Sequence, residues 1–220
     1  MLYLSHFLGP ETPFYGNDGA FIESGGRDIL RGDSCNTCHW SFPNHAGTHI
    51  DLPRHFVLDG KCLHDYPAWC WVYHETALIS LPDVQPGQVL SPDVLGASPV
   101  SPTTELLLLR TGFGRFRGTE VYWQDGPVFP PTWAEYLRRN FPKLRAFGFD
   151  AISISSWADR PTGRIAHQQF LCGESPVLLI EDMDLSAVDL STRFHRVTVA
   201  PLLVTGADAS PCTIIAEVVV

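Results

Sequence analysis

Residues 45–56 read His45-Ala46-Gly47-Thr48-His49-Ile50-Asp51-Leu52-Pro53-Arg54-His55-Phe56, with three imidazoles and one carboxylate at odd-numbered positions. Gly47, the β-branched Thr48 and Ile50, and Pro53 all work against a helix here. Side chains of an extended chain alternate faces, so the spacing predicts His45, His49 and Asp51 on one face and Ala46, Thr48, Ile50 and Leu52 on the other. His55 keeps the parity beyond Pro53. Imidazole and carboxylate together suit Zn²⁺, Mn²⁺ or Fe²⁺, and the lack of a thiolate in the motif disfavours a closed structural zinc site. Three protein ligands leave room for a water activated by the metal, and a further histidine can shuttle protons.

The run His-x-Gly-Thr-His-x-Asp-x-Pro-x-His, complete from His45 to His55, resembles the signature of the cyclase-like metal-dependent hydrolases, which include bacterial kynurenine formamidase (arylformamidase) and isatin hydrolase. Later segments are similar in family order: Leu108–Gly112, Gly148-Phe149-Asp150 with Ser153, His167, Glu181 with Asp184-Leu185-Ser186, and Gly206–Pro211. The resemblance implies an α/β fold of the swivelling β/β/α type, a mixed sheet with flanking helices, over one domain of residues 1–220. It implies His45, His49 and Asp51 as ligands of a first divalent metal, Zn or Mn. His167 and Glu181 would complete a second site, with Asp51 or Glu181 bridging, so one or two ions per chain are expected. His55 becomes the general acid/base, and Tyr15, in Pro13-Phe14-Tyr15-Gly16, a wall of the substrate pocket. The implied reaction is attack of metal-bound hydroxide on a formamide or cyclic amide of an aromatic substrate, in a homodimer or homotetramer. Two departures stand out: the interval from His167 to Glu181 is longer than in the formamidases, and Thr213 stands where many members carry arginine.

Other readings of the same residues differ in chemistry. A non-catalytic divalent-metal-binding protein could use the same ligands. Cys35-Asn36-Thr37-Cys38-His39 matches the haem c attachment pattern, but it lies directly upstream of the metal motif and follows no export signal, and no second Cys-x-x-Cys pair completes a structural zinc site. No Gly-x-Ser-x-Gly elbow supports a serine acyl-enzyme.

The elements that must hold these residues follow from pattern. Leu2–Leu8 and residues 34–52 read as strands, the second carrying the metal motif. Thr76–Leu81 and the unbroken apolar run Glu105–Arg110 read as buried strands, separated by a proline-rich connection from Pro82 to Thr104 in which Ser91-Pro92-Asp93 can start a brief helix. Thr132 and Glu135 form a capping-box pattern ahead of Trp133, Tyr136 and Leu137, with Pro142 ending the helix. Ala146–Ile154 then reads as a strand, giving a parallel strand–helix–strand crossover. A helix from Thr162 to Cys172 carries His167 and stops at Gly173. Pro176–Glu181 is a buried strand ending on a carboxylate, an expensive placement unless that acid is paired or binds metal. Strands at Phe194–Val204 and Thr213–Val220 close the chain. The aromatic segment Cys62–Tyr73 is expected either over the site or at a subunit contact.

The 220 residues suffice for a sizeable core. A formal net charge of -9 and the lack of basic runs argue against nucleic acid or an anionic membrane as partner. No apolar run has the length of a membrane span, and the first residues lack the pattern of a signal peptide. The six cysteines are then expected as thiols in a cytoplasmic protein.

Overall fold

Leu106, Leu107, Leu108 and Leu109 are all fully buried, as a strand covered on both faces requires. They form β7 (Leu106–Arg110) in a computed structural model that describes residues 1–81, 83–96 and 100–219. Around β7 lies a parallel group. β6 (Thr76–Ser80) pairs on one side and β8 (Ala146–Phe149) on the other, and β9 (Leu178–Glu181) follows β8. The β7–β8 crossover carries α1 (Glu120–Gln124) and α2 (Thr132–Asn140), and the β8–β9 crossover carries α3 (Arg160–Leu171). The first is the strand–helix–strand crossover expected from sequence, and the second repeats the pattern.

An antiparallel group continues the sheet. β4 (His49–Asp51) pairs with β9 on one side and β11 (Ala209–Val219) on the other, and β10 (Arg193–Pro201) joins β11 to β5 (Val72–Tyr73). β1 (Leu2–Tyr3) also pairs with β11. Eight of the nine strands thus run in order from β5 to β6, which are consecutive in the chain and separated only by His74 and Glu75. Two ends so tied curl the sheet back on itself. A hairpin of β2 (Ile22–Ser24) and β3 (His39–Ser41) stands apart from this sheet. Large aromatics fill the space between sheet and helices: Phe129, Trp133, Phe147, Phe149 and Phe170 are fully buried, with ring centroids of neighbours 5.0–6.1 Å apart. Among the described residues, no helix is long and apolar enough to cross a membrane.

Several boundaries differ from the sequence reading. The first strand covers only Leu2–Tyr3, plus an isolated bridge from Ser5 to Met183. The segment 34–52 is two short strands, β3 and β4, broken at a turn where Gly47 has φ +58°. Thr132 is the first helical residue of α2 rather than its cap, and Pro131 before it makes no side-chain cap bond. Within Cys62–Tyr73, Trp71 and Tyr73 are buried in the core and Trp69 is exposed, and none of the segment lines the cleft described below. The brief helix is present as a 3-10 turn, Pro92–Leu95. Residues 82 and 97–99 of the proline-rich connection, and residue 220 of the last strand, lie outside the described residues.

Candidate metal centre

β4 delivers the first two groups. In the antiparallel β4–β9 pairing His49 stands opposite Glu181, so the two side chains share a face at the closest cross-strand distance. Asp51, two residues on, keeps that face. His45 reaches the same place by another route than the one its parity suggests: it precedes β4 across the Gly47 turn, and Gly47 is needed there because its φ is positive and a Cβ would sit 2.5 Å from Leu8 Cδ2. His167 comes from the buried face of α3, and His55 from the 3-10 turn Pro53–His55.

These groups converge. His45 Nδ1 lies 3.0 Å and His49 Nε2 3.4 Å from Asp51 Oδ1, while His167 Nε2 lies 3.5 Å from Asp51 Oδ2. Glu181 faces His49 Nε2 through Oε2 at 3.6 Å and His167 Nε2 through Oε1 at 3.4 Å. Ligand-capable atoms of His49, Asp51 and Glu181 lie within 4.8 Å of one another, as do those of His45, Asp51 and His55. Asp51 belongs to both triplets. The five residues of the expected ligand set and His55 thus gather around Asp51, in two triplets that share it, with His167 beside Asp51 and Glu181.

Their neighbours fix which atoms face that point. His49 Nδ1–H donates to the Gly47 carbonyl at 2.8 Å, and His167 Nδ1–H to the Gly163 carbonyl at 2.9 Å. Each ring is left with its Nε2 lone pair towards the carboxylates, the arrangement metal-ligating histidines adopt. Glu181 Oε1 accepts from Ile154 N–H at 2.8 Å and Ser153 Oγ–H at 3.2 Å. The residue after it, Asp182, has φ +50° and is held by Arg117 Nε and Nη2 and by the Tyr122 hydroxyl, which anchors the end of β9 just behind the site.

The donor set fits a divalent cation. His49 Nε2 and both carboxylate oxygens of Asp51 are buried and make no hydrogen bond, a combination that costs several kcal/mol unless a cation or another partner is present. Three imidazoles with two carboxylates are the hard-to-borderline donors that Zn²⁺ or Mn²⁺ takes. Without a metal, protons play the cation's part. Burial opposes charging His45 and His167, but Asp51 beside both, with Asp208 or Glu181, raises each to about 10. The same imidazoles hold Asp51 well below the usual carboxylate range despite its burial.

His55 is set apart by its partner. Its Nδ1 lies 3.1 Å from Asp208 Oδ2, which also approaches His45 Nε2 at 3.4 Å, and Asn44 Nδ2 donates to Asp208 Oδ1 at 2.8 Å. Burial pulls the His55 pKa below 6.5, outweighing the opposing pull of Asp51 and Asp208. Asp208 begins the turn into β11, and its carbonyl accepts from Leu52 N–H. No local spacing ties it to His55, more than 150 residues earlier, so its role was not legible in sequence beyond its place in the Gly206–Pro211 segment.

The cluster forms the floor of an open cleft of ≈ 380 Å³, within the range of small-molecule sites. Tyr15 lines it, with its hydroxyl 3.2 Å from Ser155 Oγ and its ring edge-on to Trp157 at 5.2 Å. Gly16, with φ +66°, lies so close to Trp157 that a Cβ would meet the ring at 2.1 Å. Phe56, Ile152 and Pro43 add apolar wall, and Arg160 and Arg164 line the cleft from α3. Trp157 and these two arginines were not singled out from sequence, although 160, 164 and 167 share one helical face.

The model of the Cyclase family matches residues 2–156, a span that holds the histidine-rich motif but ends before His167, Glu181 and Asp208. An uncharacterized protein of Methanocaldococcus jannaschii is 24% identical over 178 residues, covering 79% of this chain and 78% of that protein. Isatin hydrolase A from Labrenzia aggregata, solved bound to benzyl benzoate, superposes with a TM-score of 0.76 at 20% identity, over 98% of this chain and 92% of its own. A potential metal-dependent hydrolase with cyclase activity superposes with a TM-score of 0.73 at 21% identity, over 98% and 96% of the two chains. The mixed α/β fold is therefore that of these hydrolases.

Proposed function

The chain belongs to the Cyclase family, and from that premise we propose that it is a metal-dependent hydrolase of amides, cleaving a formamide or cyclic amide of an aromatic substrate. The observation that carries the reading is the orphaned set of buried donor atoms, His49 Nε2 and both Asp51 oxygens, at the floor of an open, partly aromatic cleft. His45, His49, Asp51, His167 and Glu181 would hold one or two ions of Zn²⁺ or Mn²⁺. A cation bound there supplies Lewis acidity towards a carbonyl oxygen and makes water a stronger nucleophile at neutral pH.

The chain's own residues do the rest. With Nδ1–H donated to Asp208, His55 presents a neutral Nε2, and burial keeps it neutral at pH 7. His55 takes a proton from the attacking water as the new C–O bond forms. It returns that proton to the leaving nitrogen as the C–N bond breaks, a role worth about 10²–10⁴ in rate. Burial also keeps the Tyr15 hydroxyl protonated, and it donates to Ser155 Oγ, so it can donate to substrate only by turning from that partner. Trp157, Phe56 and Tyr15 give the cleft flat apolar surfaces suited to an aromatic ring.

Self-association into a homodimer or homotetramer belongs to the same proposal. It is supported by exposed apolar side chains, Phe7, Trp40 and Leu202, that share one groove away from the cleft. The test of function is turnover of N-formylkynurenine and isatin by Zn- and Mn-loaded protein beside His55→Ala. We expect hydrolysis of at least one, with the variant retaining metal and losing about 10²-fold or more in kcat. Retained metal without hydrolysis across a panel of formamides and lactams would favour a metal-binding role instead.

A further inference from the structure

Arg160, Arg164 and His167 follow one another along one side of α3 at four- and three-residue spacing. At about 1.5 Å of rise per residue, Arg164 stands about 4.5 Å and Arg160 about 10.5 Å along the helix axis from His167. Both arginines are exposed and both line the cleft. The arginine–carboxylate ion pairs among the described residues involve Arg31, Arg117, Arg145 and Arg196, leaving Arg160 and Arg164 without one. The Arg160 guanidinium carbon lies over the Trp157 ring, 4.4 Å from its centroid, a cation–π contact that holds the charge at the cleft wall. Across the cleft, burial raises the Tyr15 pKa while the positive charges of Arg160 and Arg164 pull it back down, so both cations are felt inside the site. The chain as a whole is acidic, at a formal -9, which makes two uncompensated guanidinium groups on one wall conspicuous. Asp18, also on the cleft wall, forms no ion pair with either.

We propose that Arg160 and Arg164 are specificity-determining residues that select an anionic substrate, an aromatic amide bearing a carboxylate, for the hydrolase reading on which this inference rests. His167 fixes the reacting end of the cleft, and the two guanidinium groups, spaced along α3, bind the far carboxylate through charge-assisted paired hydrogen bonds. A lysine at either position would keep the charge and lose the fork.

The experiment compares kcat/KM of metal-loaded protein for formanilide with that for 3- and 4-formamidobenzoate, in wild type, Arg160→Gln, Arg164→Gln, the double variant and Arg164→Lys. We expect wild type to prefer a carboxylated substrate by about tenfold or more, chiefly through KM, and the preference to fall towards unity in the double variant. Arg164→Lys should keep part of it. A wild-type preference at or below unity overturns the proposal, as does a preference that survives in the double variant, because the carboxylate would then be read by the metal. Calorimetric binding of benzoate against benzamide separates this inference from the hydrolase reading. If no amide is hydrolysed, benzoate binding that disappears in the double variant still supports the anion site, and equal binding of the two probes sinks it.

Discussion

His49 and His167 each give one ring nitrogen to a backbone carbonyl, of Gly47 and Gly163, and turn the other towards carboxylates. Protonation and metal therefore compete for the same lone pairs. In the metal-free chain His45 and His167 have pKa values raised from 6.5 to about 10. The stabilisation this represents is fully present below about pH 6.5 and is lost as pH rises towards about 10. Metal binding needs these rings neutral and releases their protons, so it strengthens over the same window. Thermal unfolding followed from about pH 6.5 to 9 should show Tm of the chelator-treated protein falling, while the increment added by Zn²⁺ or Mn²⁺ grows. An increment that shrinks with pH would contradict the ligand set. At the same scale, Asp208 raises the pKa of His55. Asp208→Asn should move the acidic limb of the kcat/KM profile to lower pH and lower activity about 10–100-fold. The residue types of the motif announced this chemistry in sequence. The partners that aim the rings did not, because Gly163 and Asp208 act through a backbone carbonyl and a distant carboxylate, which leave no local pattern.

At the scale of elements, the site depends on how closely α3 approaches the loop after β8. Gly163 faces Ser155, and a Cβ there would lie 1.6 Å from Ser155 Oγ and 2.7 Å from its Cα. Alanine normally favours a helix over glycine by about 1 kcal/mol, but displacing backbone in a packed contact costs about 1–3 kcal/mol. Gly163→Ala is therefore expected to destabilise the protein slightly and to weaken metal binding, because the same helix carries His167; chemical denaturation and metal titration check the two effects. The anchor behind Glu181 is more costly to break. Arg117→Met leaves the buried Asp182 carboxylate without its cation and should cost about 3–5 kcal/mol, again read by denaturation. The parallel crossovers and the buried runs were legible because hydrophobic period and helix stops are local signals. The single continuous metal strand was misread. Parity placed His49 and Asp51 correctly, but His45 arrives through a left-handed turn at Gly47 that parity arguments do not contain.

At the scale of the whole molecule, nine strands bring together groups separated by more than 150 residues, from His45 to Asp208. The sheet order places β4, inserted between β9 and β11, at the junction of the parallel and antiparallel groups, and the candidate metal centre forms on that junction. Such long-range pairing was visible in sequence only through resemblance, since nothing in the local pattern says that β4 lies between two strands from the far end of the chain. The measurement that tests this account most directly is anomalous X-ray scattering from crystals grown with Zn²⁺ or Mn²⁺ and recorded at the metal's absorption edge. The account predicts a peak enclosed by the His49 and His167 Nε2 atoms and the carboxylates of Asp51 and Glu181, with His45 Nδ1 turned towards it and the peak lost in Asp51→Asn. A peak seated elsewhere, or metal-saturated crystals with no peak among these five residues, would contradict it.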